Sequence, residues 1–300
     1  MSDILVVGSV AYDSIKTPLG QVERTLGGSA NYFSLVASMF SPVRVVGVVG
    51  EDYADSDLEL LRSRSVDLEG LKKVPGKTFH WQGRYEADMN EAITLKTELN
   101  VFENFNPSLP PTYAGSRYVF LANIDPDLQM RVLDQVKGPQ LVGADTMNFW
   151  IESKRPQLLE LLRRIDVLLI NEAEARQLTG QWNIVQSVKT LTDWGPKAVV
   201  VKRGEYGFVL FSEGRHFILP AFPVAEVKDP TGAGDTFAGG FFGYLSRVDK
   251  GLSWPDLKQA CIHGCLMASF TVEDFGVGSL RQLQWPEIEG RRAQYEEVIR

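Results

Sequence analysis

Short apolar runs that alternate with longer amphipathic ones are the strongest constraint on how this 300-residue chain can fold. Residues 4–8, 43–50, 118–122, 140–144, 167–170 and 198–202 are rich in Val, Ile and Leu, barely alternate in polarity, and are bounded by polar residues or glycine. Such runs read as strands covered on both faces. Between them, residues 29–39, 56–64, 128–136, 156–164, 172–178 and 184–194 carry helical spacing. This alternation predicts an α/β fold with a mostly parallel sheet, helices against it, and right-handed connections.

One interval breaks the pattern. In residues 77–106, Phe79 and Trp81 form one period-two pair and Ile93 and Leu95 another, with the turn-prone residues 87–90 between them. That reads as a β-hairpin with one apolar face. Residues 11–26, polar and turn-rich with Pro18 and Gly20, add a second strand pair. With no low-complexity linker and no repeat of fixed period, residues 1–300 read as one domain, with segments of about 11–26 and 77–106 inserted in it.

Composition narrows the class. Apolar residues make up 44% and charged residues 23%, which excludes a disordered chain. Asp and Glu number 38 against 31 Lys and Arg, and the net charge of −7 argues against nucleic acid or an anionic membrane as partner. No apolar run nears the roughly 18 residues of a bilayer span, and the start lacks a signal peptide's basic flank. Two cysteines make no disulfide framework, so a cytoplasmic protein with reduced thiols is expected. Cys261, His263 and Cys265 look like metal ligands, but residues two apart on a helix point in nearly opposite directions, so a packed helix is the better reading.

Chemistry concentrates in residues 229–240, Asp-Pro-Thr-Gly-Ala-Gly-Asp-Thr-Phe-Ala-Gly-Gly. Pro230 keeps Asp229 out of helix, and Phe237, Phe241, Tyr244 and Leu245 then fall at helical spacing. Gly232 and Gly234 therefore sit at a helix N-terminus, where free N–H groups and the helix dipole favour an anion. Asp235 follows at once. It is either a general base for an attacking hydroxyl or a helix-capping residue. There is no G-x-x-x-x-G-K-[ST], Phe237 breaks G-x-G-x-x-G, and neither G-x-S-x-G nor H-E-x-x-H occurs.

The run Asp229 to Phe237 resembles the C-terminal signature of the PfkB, or ribokinase-like, family of sugar and nucleoside kinases. Gly8-Ser9 followed by Asp13, the pair Gly27-Gly28, Asn171-Glu172-Ala173-Glu174 (the family's N-x-x-E) and Lys202-Arg203-Gly204-Glu205-Tyr206-Gly207 are similar to its other motifs, in order. The resemblance implies a three-layer α/β/α domain with a small β lid formed by the inserted segments. It implies transfer of the ATP γ-phosphoryl group to a hydroxyl of a sugar or related small carbohydrate, with a nucleoside as the alternative acceptor. Gly232, Ala233 and Gly234 would bind the moving phosphoryl and Asp235 would take the proton. Asp13, Gly27, Gly28 and Asn31 would bind the acceptor. Asn171, Lys202, Gly204 and Gly207 would border ATP, with Lys202 either meeting a phosphate or solvated. Glu174 would hold Mg²⁺ through water, although Asn171 as a helix N-cap explains the same motif. From resemblance alone come K⁺ at Asp229, Thr231 and Ser279, and a homodimer through the lid.

The chain departs from the family at Ala11, where relatives often carry Asn, and at Asn31, one residue early; ribokinase itself is therefore not the first expectation. Tyr12, Tyr32, Phe33, Phe79, Trp81, Phe149 and Trp150 lie near the expected acceptor pocket, as core residues or as walls for a flat group. Two rival classes remain. A non-catalytic metabolite or nucleotide sensor needs no acid beside a phosphate, and a dinucleotide-dependent dehydrogenase needs the missing glycine fingerprint.

Overall fold

A computed structural model describes residues 3–299. Six parallel strands form the middle of the main sheet, in the order Ala198–Lys202, Val167–Asn171, Leu141–Ala144, Tyr118–Leu121, Ile4–Val7, Val43–Gly50. These are the six apolar runs of the sequence. Their weak alternation has a direct cause: Ile4 and Val6 point into one core, Leu5 and Val7 into another, and all four are buried. Each such side chain contributes about 1.5–3 kcal/mol on burial, so neither face tolerates a polar residue.

The first core lies under helices Ser29–Ala37, Ala233–Val248 and Trp254–Thr271, the second under Pro126–Leu133, Arg155–Leu162, Glu172–Thr179 and Ile184–Asp193. The result is the three-layer α/β/α arrangement. Antiparallel strands Phe208–Ser212 and Arg215–Leu219 extend one edge, and the short strands Val66–Asp67 and Leu71–Val74 both pair with Val43–Gly50 at the other. These four strands were not expected: Val66–Asp67 is two residues long and Leu71–Val74 and Arg215–Leu219 carry charged residues, which masks strand character, whereas Phe208–Ser212 is apolar up to its last residue and was passed over.

The two inserted segments form a separate four-stranded sheet, ordered Gly20–Gly27, Ala11–Thr17, Phe79–Tyr85, Ala92–Glu98. Ala11–Thr17 pairs antiparallel with Gly20–Gly27 and parallel with Phe79–Tyr85, so the two insertions meet only through tertiary structure. Cys261, His263 and Cys265 lie buried on helix Trp254–Thr271, both cysteines are free, and the His263 ring packs between Phe40 and Tyr244. Among the described residues no helix is long and apolar enough to cross a membrane.

Candidate active site

Parallel strands deliver their carboxyl ends to one edge of a sheet, and ligands bind there. Val7, Leu121 and Ala144 stand side by side along that edge, as do Asn171 and Lys202. Ser9, Asp145, Asn171 and Lys202 therefore share one rim. The N-terminus of helix Ala233–Val248 is on the same rim. Gly232 is its N-cap in the left-handed region at φ 76°, and a β-carbon there would overlap the Tyr32 ring. Only glycine satisfies both demands.

The three backbone donors of this loop differ. Ala233 N–H bends back to Pro230 O at 3.2 Å, while Gly232 and Gly234 N–H have no backbone partner among the described residues. Asp235 is the third residue of the helix, and the cap contains no side-chain hydrogen bond, so the capping explanation for Asp235 does not hold. Burial, partly offset by the Lys202 ammonium, raises its carboxyl to about 6. Lys202 Nζ would lie 2.7 Å from a β-carbon on Gly234, and its charge acts on Asp235, Asp145 and Glu174. It belongs to the site, not to open solvent.

Asn171 and Glu174 form a reciprocal capping box: Asn171 Oδ1 accepts from Glu174 N at 2.8 Å, and Glu174 Oε2 accepts from Asn171 N at 2.9 Å. The motif starts helix Glu172–Thr179 and at the same time holds the Glu174 carboxylate in the charged cluster. Burial raises the Glu174 carboxyl, opposed by Lys202 and by the Asn171 N–H. Gly204 and Gly207, at φ 56° and 81°, shape the turn after strand Ala198–Lys202.

On the lid side, Asp13 is 5% exposed and presses so closely on Gly27 that a β-carbon there would overlap its carboxylate. Burial lifts its carboxyl to about 8, the Gly28 N–H opposes this, and the Asp229 and Asp235 charges add to it. Asn31 has both ends of its amide engaged: Nδ2 donates to Gly27 O at 2.6 Å and Oδ1 accepts from Tyr53 Oη at 3.5 Å. Its observed role is to hold the glycine turn. Asp229 ties two loops together, Oδ1 accepting from Thr231 N at 2.8 Å and Oδ2 from Gly276 N at 2.9 Å. Ser279 follows shortly, its Oγ buried without a partner.

Two residues of the site, Asp145 and Tyr85, escaped sequence reasoning, and Tyr32, expected near the acceptor pocket as core or wall, brings a hydroxyl that the expectation did not include. Asp145 is 5% exposed, its Oδ1 has no partner, and burial plus the Asp235 charge raise its carboxyl well above the usual range. Its signal was its place just after an apolar strand. Tyr32, 1% exposed, has a hydroxyl with no partner that feels the charges of Asp13, Asp229 and Asp235. Tyr85 reaches from the lid to Thr231, the two hydroxyls 3.2 Å apart. Among the other aromatics, Phe33 stacks on Phe120 in the core, Tyr12 bonds Asp57, Phe79 stacks on Phe102, Trp81 Nε1 donates to Thr94, and Trp150 Nε1 donates to Asn123. Phe149 is mostly exposed.

This helix start, with its unpartnered N–H groups, a lysine and a raised aspartate, falls within a family match: residues 120–283 match the pfkB family carbohydrate kinases. The chain belongs to the pfkB family. A cytidine kinase of Thermococcus kodakarensis is 32% identical over 253 residues, covering 82% of this chain and 90% of the relative. A nucleoside kinase of Methanothermobacter thermautotrophicus is 27% identical, covering 91% and 90%. The fold of this pfkB kinase matches the Methanocaldococcus jannaschii nucleoside kinase crystal structure at TM-score 0.77, 21% identity and 98% coverage (99% of that chain). A putative ribokinase II from E. coli, solved with ATP and Mg²⁺, matches at TM-score 0.80, 18% identity and 98% coverage (100% of that chain). The chain is thus a sugar or nucleoside kinase acting on a small-molecule hydroxyl, with the ribokinase fold.

Proposed function

We propose that this kinase transfers the γ-phosphoryl group of ATP to a ribosyl hydroxyl of a nucleoside. The observation that carries the reading is the grouping of Asp13, the unpartnered Tyr32 hydroxyl and Asp235 beside the Gly232 turn. A hydroxyl-rich ring supplies partners for the first two while turning a third hydroxyl toward Asp235. The cytidine and nucleoside kinases among its relatives support a nucleoside over a free sugar.

Phosphoryl transfer asks for alignment and charge neutralisation more than for covalent chemistry. Asp235 takes the proton from the attacking hydroxyl. Gly232 and Gly234 N–H, with the helix dipole, receive the negative charge; Ala233 N–H joins them by releasing Pro230 O. Lys202 lies across the phosphates, and Asn171, Gly204 and Gly207 border the nucleotide. Asp13 accepts from acceptor hydroxyls, and Gly27 and Gly28 let the acceptor lie against backbone, with Asn31 holding that turn.

The oxygen-rich pair Glu174 and Asp145, with the orphaned Asp145 Oδ1, fits Mg²⁺ held through water. When bound, that ion neutralises phosphate charge. An all-oxygen set at Asp229, Thr231 and Ser279 fits K⁺, supported by the orphaned Ser279 Oγ. The exposed Ile93 and Leu95 of the outer lid strand fit a homodimer through the lid. Residues 1–300 act as one catalytic domain, and two free buried thiols suit a reducing compartment such as the cytoplasm.

The test is an ADP-release assay over cytidine, other nucleosides, ribose and deoxyribose, with Mg²⁺ and with or without K⁺. Nucleosides are expected to exceed free sugars in kcat/KM by at least about tenfold, which is about 1.4 kcal/mol of transition-state discrimination. A free sugar preferred over every nucleoside overturns the acceptor assignment.

A further inference from the structure

The lid is fastened at its two ends very differently. At its root, Asp52 Oδ1 accepts from Thr78 N and Thr78 Oγ1, both at 2.7 Å, and Asp52 Oδ2 accepts from Arg24 Nη2 at 2.8 Å. Asn100 Nδ2 adds a bond to Thr78 O at 3.0 Å. At the far end, strand Ala92–Glu98 is exposed along nearly its whole length. There a side-chain bond joins lid and phosphoryl loop, Thr231 Oγ1 donating to Tyr85 Oη. Just beyond it, the Asn90 amide oxygen would lie 2.9 Å from a β-carbon on Gly204, so the hairpin tip also reaches the turn after strand Ala198–Lys202.

Thr231 is a sensitive place for such a contact. Its N–H is bonded to Asp229, and it directly precedes Gly232, whose ring neighbour Tyr32 closes the other side of the loop. A shift at Thr231 therefore re-aims the Gly232 N–H. We propose that Tyr85 is a latch, a positioning residue whose hydroxyl bond to Thr231 makes closure of the lid and alignment of the 232–234 donors one event. The charges of Asp229, Asp13 and Asp235 all act on this phenol, which lies between the acceptor end and the phosphoryl end. With the latch open, the exposed outer strand has little else to hold it down, while the root stays fixed. The lid then swings about Thr78. The idea rests on the kinase reading only in placing the acceptor beneath the lid.

Tyr85→Phe keeps the ring and removes the hydroxyl. Amide hydrogen exchange on the full chain without acceptor is expected to quicken in residues 79–98 and 229–234 and to stay unchanged around Asp52; equal exchange in all three regions overturns the latch. In turnover, loss of one neutral hydrogen bond is expected to lower kcat about 3- to 10-fold. Acceptor affinity in equilibrium binding should change less than about threefold. Thr231→Val should reproduce the fall in kcat, and the double variant should add nothing to it. Unchanged kcat in Tyr85→Phe, or losses that add in the double variant, overturn the proposal. If no nucleoside or sugar is phosphorylated by the unaltered protein, the acceptor reading fails and hydrogen exchange still decides the latch.

Discussion

The proposed phosphoryl end and the proposed acceptor end of this site are built on opposite physical plans. The phosphoryl end sits on a helix N-terminus and the carboxyl ends of strands whose side chains are buried on both faces, so its groups are held by the core itself. The acceptor end borrows Asp13, Gly27 and Tyr85 from a four-stranded sheet with an exposed outer strand. The rigid end can keep N–H groups aimed at charge that develops only in the transition state, which is where preorganisation matters most. The lid end has to open for the acceptor and close to exclude water. Damage to the first should therefore appear in kcat and damage to Asp13 or Gly27 of the second in KM, while Tyr85, whose bond to Thr231 joins the two ends, answers in kcat.

The largest effect is expected from Asp235→Asn, which should lower kcat at least about 100-fold while nucleotide affinity by equilibrium binding stays within a few fold. Turnover near that of the unaltered protein would remove Asp235 from the base role. Gly232→Ala comes next. A left-handed φ costs a non-glycine residue about 1–2 kcal/mol, the new methyl meets Tyr32, and misaimed donors should lower kcat on the order of 100-fold. A smaller loss in kcat than in thermal stability would show that the loop tolerates re-aiming.

On the lid side, Asp13→Ala should raise the acceptor KM on the order of tenfold with a lesser change in kcat, since a neutral hydrogen bond contributes about 0.5–1.5 kcal/mol. Should kcat fall instead, the division between the two ends is wrong. In the pH profile, kcat/KM should decline as pH drops through about 6, because protonation there removes the Asp235 base. A last prediction concerns stability. Asp13 is raised to about 8 in the fold, so its neutral form is the one the folded protein favours. That contribution is complete below the ordinary carboxylate range near 4 and is lost as pH rises toward 8. The thermal midpoint of the unaltered protein should thus fall relative to Asp13→Asn across that interval. A constant difference would mean that Asp13 is solvated.

Legibility in the sequence followed the same division. The six central strands, the Gly232 turn and the capping box at Asn171 are local events, decided by side-chain period, proline and glycine within a few residues. The lid hairpin was legible too, from the period-two pairs Phe79/Trp81 and Ile93/Leu95, but its expected single apolar face was not found: Trp81 pairs with Thr97 and Ile93 with Arg84 across a register shift, and Ile93 and Leu95 are exposed. The hairpin's partner was not legible, because the parallel pairing of Ala11 with Phe79 spans 68 positions and leaves no local periodicity to read. Asn31 shows the converse: its amide is engaged by Gly27 and Tyr53, a fact that no motif spacing contains.

What the amino-acid order determined by itself is therefore the layered α/β scaffold and an anion-binding helix start followed by an acid, since backbone conformation and hydrophobic period are set by near neighbours. Folding alone decided that Asp145, Tyr32 and Tyr85 converge on that turn and that Asp13 and Asp235 feel each other's charge. The reason is electrostatic as much as geometric. Proximity and desolvation, which raise those acids and leave the Tyr32 hydroxyl without a partner, exist only once the sheet edge and the lid have come together around them.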